Sequence, residues 1–138
     1  MLGRLIFNKV EIVNYFTLQS RPSIGGYGLL TRTDSRPTYY VYQMYQKFGE
    51  NLVFAGCDDA QIGIYAALDQ DGVLTVMLIN LGEDDITRPL AIEGKERTLT
   101  EVWRFDKDHL ADKLDTRDFD NLEKILIPGQ SVTLIKLK

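Results

Sequence analysis

The apolar pattern of this chain changes period at Leu52, and the change restricts the fold more than any other feature. From Leu52 to Leu137 short apolar runs recur with a spacing of two, separated by turn residues. That pattern builds antiparallel sheets with one face buried, packed as a sandwich. Strands are expected near 52–57, 62–68, 73–80, 86–92, 97–105, 123–127 and 131–137. The run LDQDGVL, centred on Asp71 and Gly72, reads as a hairpin turn between the second and third. LGEDDI and EGKE make the next two connections. The acidic stretch at 106–121 reads as a long connection, with a helical turn around Leu110 to Leu114.

Before Leu52 the pattern is different. Leu2, Leu5, Ile6 and Val10 fall near helical spacing, yet no Ser, Thr, Asp or Asn caps the start, so the element is expected to extend upstream of Met1. EIVNYFTLQ is apolar on both faces, as in a strand covered from both sides. RPSIGGYG then reads as an irregular loop. TDSRPTYYVYQMYQKFG carries helix signals: Asp34 or Ser35 to cap, Pro37 in the first turn, Gly49 to stop, and Tyr40, Val41, Met44, Tyr45 and Phe48 along one face. The expected fold class is mainly β, an antiparallel sandwich of Greek-key or jelly-roll type over 51–138, preceded by a short α/β remnant over 1–50.

Charge divides the same way. Residues 1–57 hold six basic and three acidic side chains, whereas 58–138 hold ten basic and seventeen acidic. The net charge of −4 argues against a nucleic-acid partner. No stretch reaches the roughly 18 uninterrupted apolar residues of a membrane helix, and Arg4, Lys9 and Glu11 interrupt the first apolar run. No membrane partner and no signal peptide are read here, and a cytoplasmic location is expected. Cys57 is the one cysteine, which excludes an internal disulfide.

The order YFTLQS, GGYGLL, a Pro-started aromatic helix ending KFG, and a small β-domain ending PGQSVTLIKL resembles the C-terminal region of clan A retaining glycoside hydrolases, of the α-L-arabinofuranosidase and β-xylosidase type. The resemblance implies that residues 2–10 end the seventh helix of a (β/α)8 barrel, 13–18 are its eighth strand and 37–48 its eighth helix. A retaining mechanism needs two carboxyl groups about 5 Å apart. The family places them after the fourth and seventh strands, upstream of Met1. The resemblance therefore implies no catalytic residue in this chain and no cofactor. Its expected role is a non-catalytic accessory domain that stiffens the barrel of a parent glycosidase and meets a plant-type polysaccharide or oligosaccharide through that parent. Gln19, Ser20 and Tyr27 would lie past the end of a barrel strand, where they line a substrate pocket only in the intact parent.

The other candidates have ordinary explanations. Glu11, Glu50, Glu83, Glu93, Glu96, Glu101 and Glu123 sit at turns, element ends or in TEVWRF, and none is expected to pair as a hydrolytic site. His109 reads as a solvated loop histidine. The glycines from Gly25 to Gly28 lack the lysine of a phosphate loop. Asp69, Asp71 and Gly72, and likewise Asp106, Asp108 and Asp112, lack a glutamate at calcium-loop spacing, so no metal is expected. Trp103 and Phe105 share one face of a strand and are expected in the core. If exposed they would form a sugar-stacking platform, and the chain would instead be a stand-alone carbohydrate-binding module. The unpaired barrel remnant is expected to drive a homodimer through residues 1–48, with the sandwich outside the interface.

Overall fold

The computed structural model describes residues 2–19, 28–119 and 121–138. Ser20, Tyr27 and most of the RPSIGGYG loop lie outside the described residues. The chain divides into two compact units, Met1–Gln43 and Met44–Lys138.

In the first unit, α1 (Leu2–Phe7) is a short helix. Its last turn closes through Asn8 N to Arg4 O at 3.0 Å and Val10 N to Leu5 O at 3.0 Å. The buried strand expected over 13–18 is not formed. Residues 11–18 make no ladder, and Ile12, Phe16 and Leu18 are exposed, Phe16 to 85 %. A strand apolar on both faces is stable only when neighbours take up its backbone groups and cover its side chains. The described residues of this unit offer only single bridges, Gln19 with Leu30 and Leu30 with Ser35. The second helix, α2 (Pro37–Tyr45), begins at the proline, whose missing N–H has no intrahelical partner to lose there. It ends one turn before the expected Phe48. Lys47 N bonds Met44 O and Phe48 N bonds Tyr45 O, a tightened last turn that leads to Gly49.

The second unit is an antiparallel β-sandwich. Its strands are β1 (Asn51–Val53), β2 (Ile62–Leu68), β3 (Leu74–Asn80), β4 (Ile86–Arg88), β5 (Leu99–Phe105), β6 (Leu110–Leu114), β7 (Ile125–Ile127) and β8 (Ser131–Leu137). Six form one sheet in the order β1-β2-β3-β8-β5-β6, and β4 pairs with β7 in a second, two-stranded sheet. The β2–β3 hairpin forms as the sequence predicts. Asp69 Oδ1 accepts from the N–H groups of Asp71 and Val73, both at 2.9 Å, and Gly72 takes φ +76°, which a side chain would strain.

The core lies between the two sheets. Ile62, Ala66, Val76, Val102, Ile135 and Leu137 come from the large sheet and Ile125 and Ile127 from the small one. Facing residues match in register, Val76 with Ile135 and Val102 with Ile135. Burying such side chains contributes about 1.5–3 kcal/mol each, which makes this layer the main source of stability.

Two expectations within the sandwich are corrected. Residues 110–114 are a strand: Leu110 and Leu114 satisfy a period of two as well as four, and pairing with β5 settles which one applies. Ala111 (φ +61°) and a register shift at Arg104/Phe105 mark a bulge there. Trp103 and Phe105 share a face, but it is not the inter-sheet core. Val102 takes the inward phase, so Trp103 and Phe105 stand on the opposite face of the sheet, each half-buried.

Candidate functional site

On that outer face one carboxylate gathers three neighbours, and a fourth side chain covers one of them. Alternation along β5 puts Glu101 and Trp103 side by side, and cross-strand pairing sets Lys136 beside Glu101 and Lys113 beside Trp103. The indole Nε1 donates to Glu101 Oε2 at 3.1 Å, and Lys113 Nζ donates to Oε1 at 2.6 Å. Lys136 Nζ lies 3.8 Å from Oε2. Lys47, just past α2, places its ammonium 4.0 Å from the centre of the Trp103 ring, and Lys113 is 6.0 Å from it. An ammonium over an indole face is attracted by the ring quadrupole.

The chemistry of this cluster follows from its electrostatics. The Lys113 and Trp103 hydrogen bonds hold the Glu101 carboxyl below its ordinary range; partial burial opposes them, and the charges of Lys113 and Lys136 reinforce them. A general acid of a glycosidase needs the reverse, a carboxyl raised so that it carries a proton to deliver. Glu101 is therefore an ionised anchor. Trp103 is equally committed, because Lys47 occupies ring surface that a pyranose would stack on.

A second cluster closes the β5–β6 hairpin. Asp106 Oδ1 accepts from Asp108 N at 2.8 Å and His109 N at 2.9 Å, and lies 2.8 Å from His109 Nδ1. Burial pushes the Asp106 carboxyl up, but these hydrogen bonds and the neighbouring imidazole outweigh it and leave it below the usual carboxylate range. Arg104 lies on the inner face, with Nε 3.3 Å from Thr133 Oγ1, Nη2 donating to Leu126 O at 3.0 Å, and the guanidinium 5.3 Å from the Phe119 ring. Its Nε is 4.0 Å from Asp106 Oδ2. Burial lowers the Arg104 pKa, and the charges of Asp106 and Asp85 act against that shift. His109 thus belongs to a turn-closing network that the sequence reading, which left it solvated, did not foresee. The Asp-x-x-His spacing of an Asx-type turn was the available signal.

The remaining candidates do not converge. Gln19 donates to Thr31 O at 3.3 Å on an exposed surface of the first unit. Among the described residues no three His, Cys, Asp or Glu side chains are placed to share a metal ion. The second unit has an open groove of about 490 Å3, mostly apolar but with Glu93 and Arg97 in its lining. Ile64, Ala66, Leu68, Val76, Leu90 and Ile92 are among its lining residues.

No family model and no curated protein matches the chain. Solved structures do. A glycoside hydrolase family 30 subfamily 8 xylanase from Clostridium acetobutylicum aligns over 81 % of this chain and 31 % of its own length, with a TM-score of 0.69 and 16 % identity. The catalytic domain of a family 30 xylanase C from Talaromyces cellulolyticus aligns over 80 % of this chain and 27 % of its own, at TM-score 0.62 and 15 % identity. Cel44A, a family 44 endoglucanase from Clostridium thermocellum, aligns over 66 % and 19 %, at 0.54 and 22 %. The chain thus has a glycoside hydrolase-like fold and spans less than a third of the length of these enzymes. At such identities the likeness is one of fold.

Proposed function

We infer that this chain is the non-catalytic β-sandwich region of a glycoside hydrolase, of the α-L-arabinofuranosidase or β-xylosidase type, and that it stiffens a catalytic barrel. One observation carries this reading: four fifths of the chain aligns with under a third of a xylanase. The carboxylates support it. Glu101 and Asp106, the half-buried and buried acids in networks, are both held in the ionised form rather than raised toward an acid's role. The partner is the parent's barrel, and a plant-type polysaccharide is met through it. Lys47 over Trp103 weighs against a stand-alone carbohydrate-binding module.

Two experiments test the reading. The open reading frame upstream of Met1 is expected to continue into a barrel with two acidic residues at strand ends; an unrelated upstream domain contradicts it. Affinity electrophoresis on arabinoxylan is expected to show no retardation. Clear retardation that Trp103→Ala abolishes would establish the binding module instead.

A further inference from the structure

We propose that Lys47, Lys113 and Lys136 form an anion-binding site beside Trp103, for a ligand that carries two or more anionic groups. The three lysines come from separate parts of the chain: Lys47 follows α2, Lys113 lies on β6 and Lys136 on β8. Glu101 is the one carboxylate paired with them among the described residues, with Lys113 Nζ at 2.6 Å from Oε1 and Lys136 Nζ at 3.8 Å from Oε2. Lys47 makes no ion pair among the described residues, and its ammonium lies over the indole ring. Three ammonium groups against one carboxylate leave an excess of two positive charges, in a chain whose net charge is −4.

These lysines are also held in place. A lysine on an open surface loses much rotamer freedom when it closes on an anion, and that loss weakens binding. Here Glu101 already restrains Lys113 and Lys136, and the ring restrains Lys47. The side chains of Lys113 and Lys136 are 49 % and 24 % exposed, against 86 % for Lys107 in its pair with Asp108. Glu101 thus orders the site and leaves most of its charge uncompensated.

The geometry selects the ligand. Lys47 and Lys113 lie 4.0 and 6.0 Å from the same ring centre, so their ammonium groups are no further apart than those two distances laid end to end. Each half-exposed ion pair contributes little, so one anionic group binds weakly and two or more are needed. An ammonium is a compact point charge and accepts carboxylates and phosphates alike. A neutral sugar gains nothing comparable, because Lys47 covers the ring and Nε1 donates to Glu101 Oε2 at 3.1 Å. The site is independent of the accessory role proposed above, since it needs no barrel and supplies no catalytic acid.

Trp103 is the one tryptophan of the chain, so its emission reports on the site directly. The full chain is titrated with citrate, a free polyacid, and with polygalacturonate, a carboxylate polymer, at a constant ionic strength of about 50 mM set with chloride. A saturable change in emission is expected. A response to citrate identifies a free polyacid as sufficient, and a response to the polymer alone identifies an acidic polymer; either supports the proposal. Sodium chloride at about 1 M, where the screening length falls to about 3 Å, should abolish the response. Lys47→Gln combined with Lys113→Gln should weaken binding about tenfold, whereas Lys107→Gln should leave it unchanged. Isothermal titration calorimetry supplies the same constants where a substitution alters the emission itself, and Lys113→Gln alone, at an exposed position, gives a second variant should the double one not fold. The proposal is overturned if neither ligand gives a saturable response, if the lysine variants bind as the wild type does, or if Lys107→Gln weakens binding as much as they do.

Discussion

Replacing Gly129 with alanine tests the closed end of the sandwich, where two loops meet that are far apart in sequence. An added Cβ at Gly129 would fall on the carbonyl group of Glu83 and 3.1 Å from Asp84 N, all backbone atoms that cannot rotate away. The two loops are joined there by Gly129 N donating to Asp85 Oδ1 at 2.9 Å and Gln130 N donating to Gly82 O at 2.8 Å. Asn80, buried beneath them, donates to Asp84 O at 2.9 Å and to Ile127 O at 3.1 Å. Overpacking costs about 1–3 kcal/mol, and separating the loops loses two hydrogen bonds at about 1 kcal/mol each. Gly129→Ala should therefore destabilise the protein by about 3–5 kcal/mol. For a chain of this size each kcal/mol lowers the melting temperature by about 3–5 °C, so the fall should be about 10–20 °C. Differential scanning calorimetry measures it. Gly72→Ala is the comparison: nothing lies within 4 Å of its Cβ, and only the positive φ is strained, which costs about 1 kcal/mol. If Gly129→Ala melts as high as Gly72→Ala, the contact between the two loops is wrong.

Other perturbations report on the two polar clusters. Trp103→Ala should cost about 2–3 kcal/mol by urea denaturation, short of the roughly 3–5 of a fully buried aromatic, because the ring is only half-buried; a loss above 4 would put it in the core. Asp106→Ala leaves two backbone N–H groups and an imidazole without their acceptor, and should cost about 1–3 kcal/mol at neutral pH. Because the folded pKa of Asp106 is depressed, its contribution is complete above the unfolded value near 3.8 and is lost as pH falls through the folded value. Stability curves of wild type and Asp106→Asn should therefore converge below about pH 4, and a gap that widens on acidification would contradict the sign of the shift.

Much of the sandwich was legible because its signals are local. Asp71-Gly72 announced a hairpin, and the apolar-rich segments LTVMLIN and SVTLIKL became the two central strands. Pro37 marked the start of α2 to the residue. What was not legible depends on neighbours. TEVWRF offers apolar residues on both faces, and only pairing of Val102 with Ile135 shows that the indole points away from the core. Residues 110–114 fit two periods until β5 is beside them. Residues 11–18 carry strand propensity without a ladder to join, and propensity alone does not hold a strand. At the candidate site, Glu101 and Trp103 were visible singly. The lysines that neutralise one and cover the other come from three other parts of the chain, at positions 47, 113 and 136.

The most direct test of the central claim, that this chain supports a glycosidase without doing its chemistry, is a hydrolysis assay. The purified protein is incubated with aryl α-L-arabinofuranoside and aryl β-xyloside, and release of the phenol is followed across the acid to neutral range. The account predicts release no faster than in buffer, because Glu101 and Asp106 are both held below the usual carboxylate range and neither is the proton donor that a retaining pair needs. Turnover that survives repurification and is abolished by Glu101→Gln would contradict it.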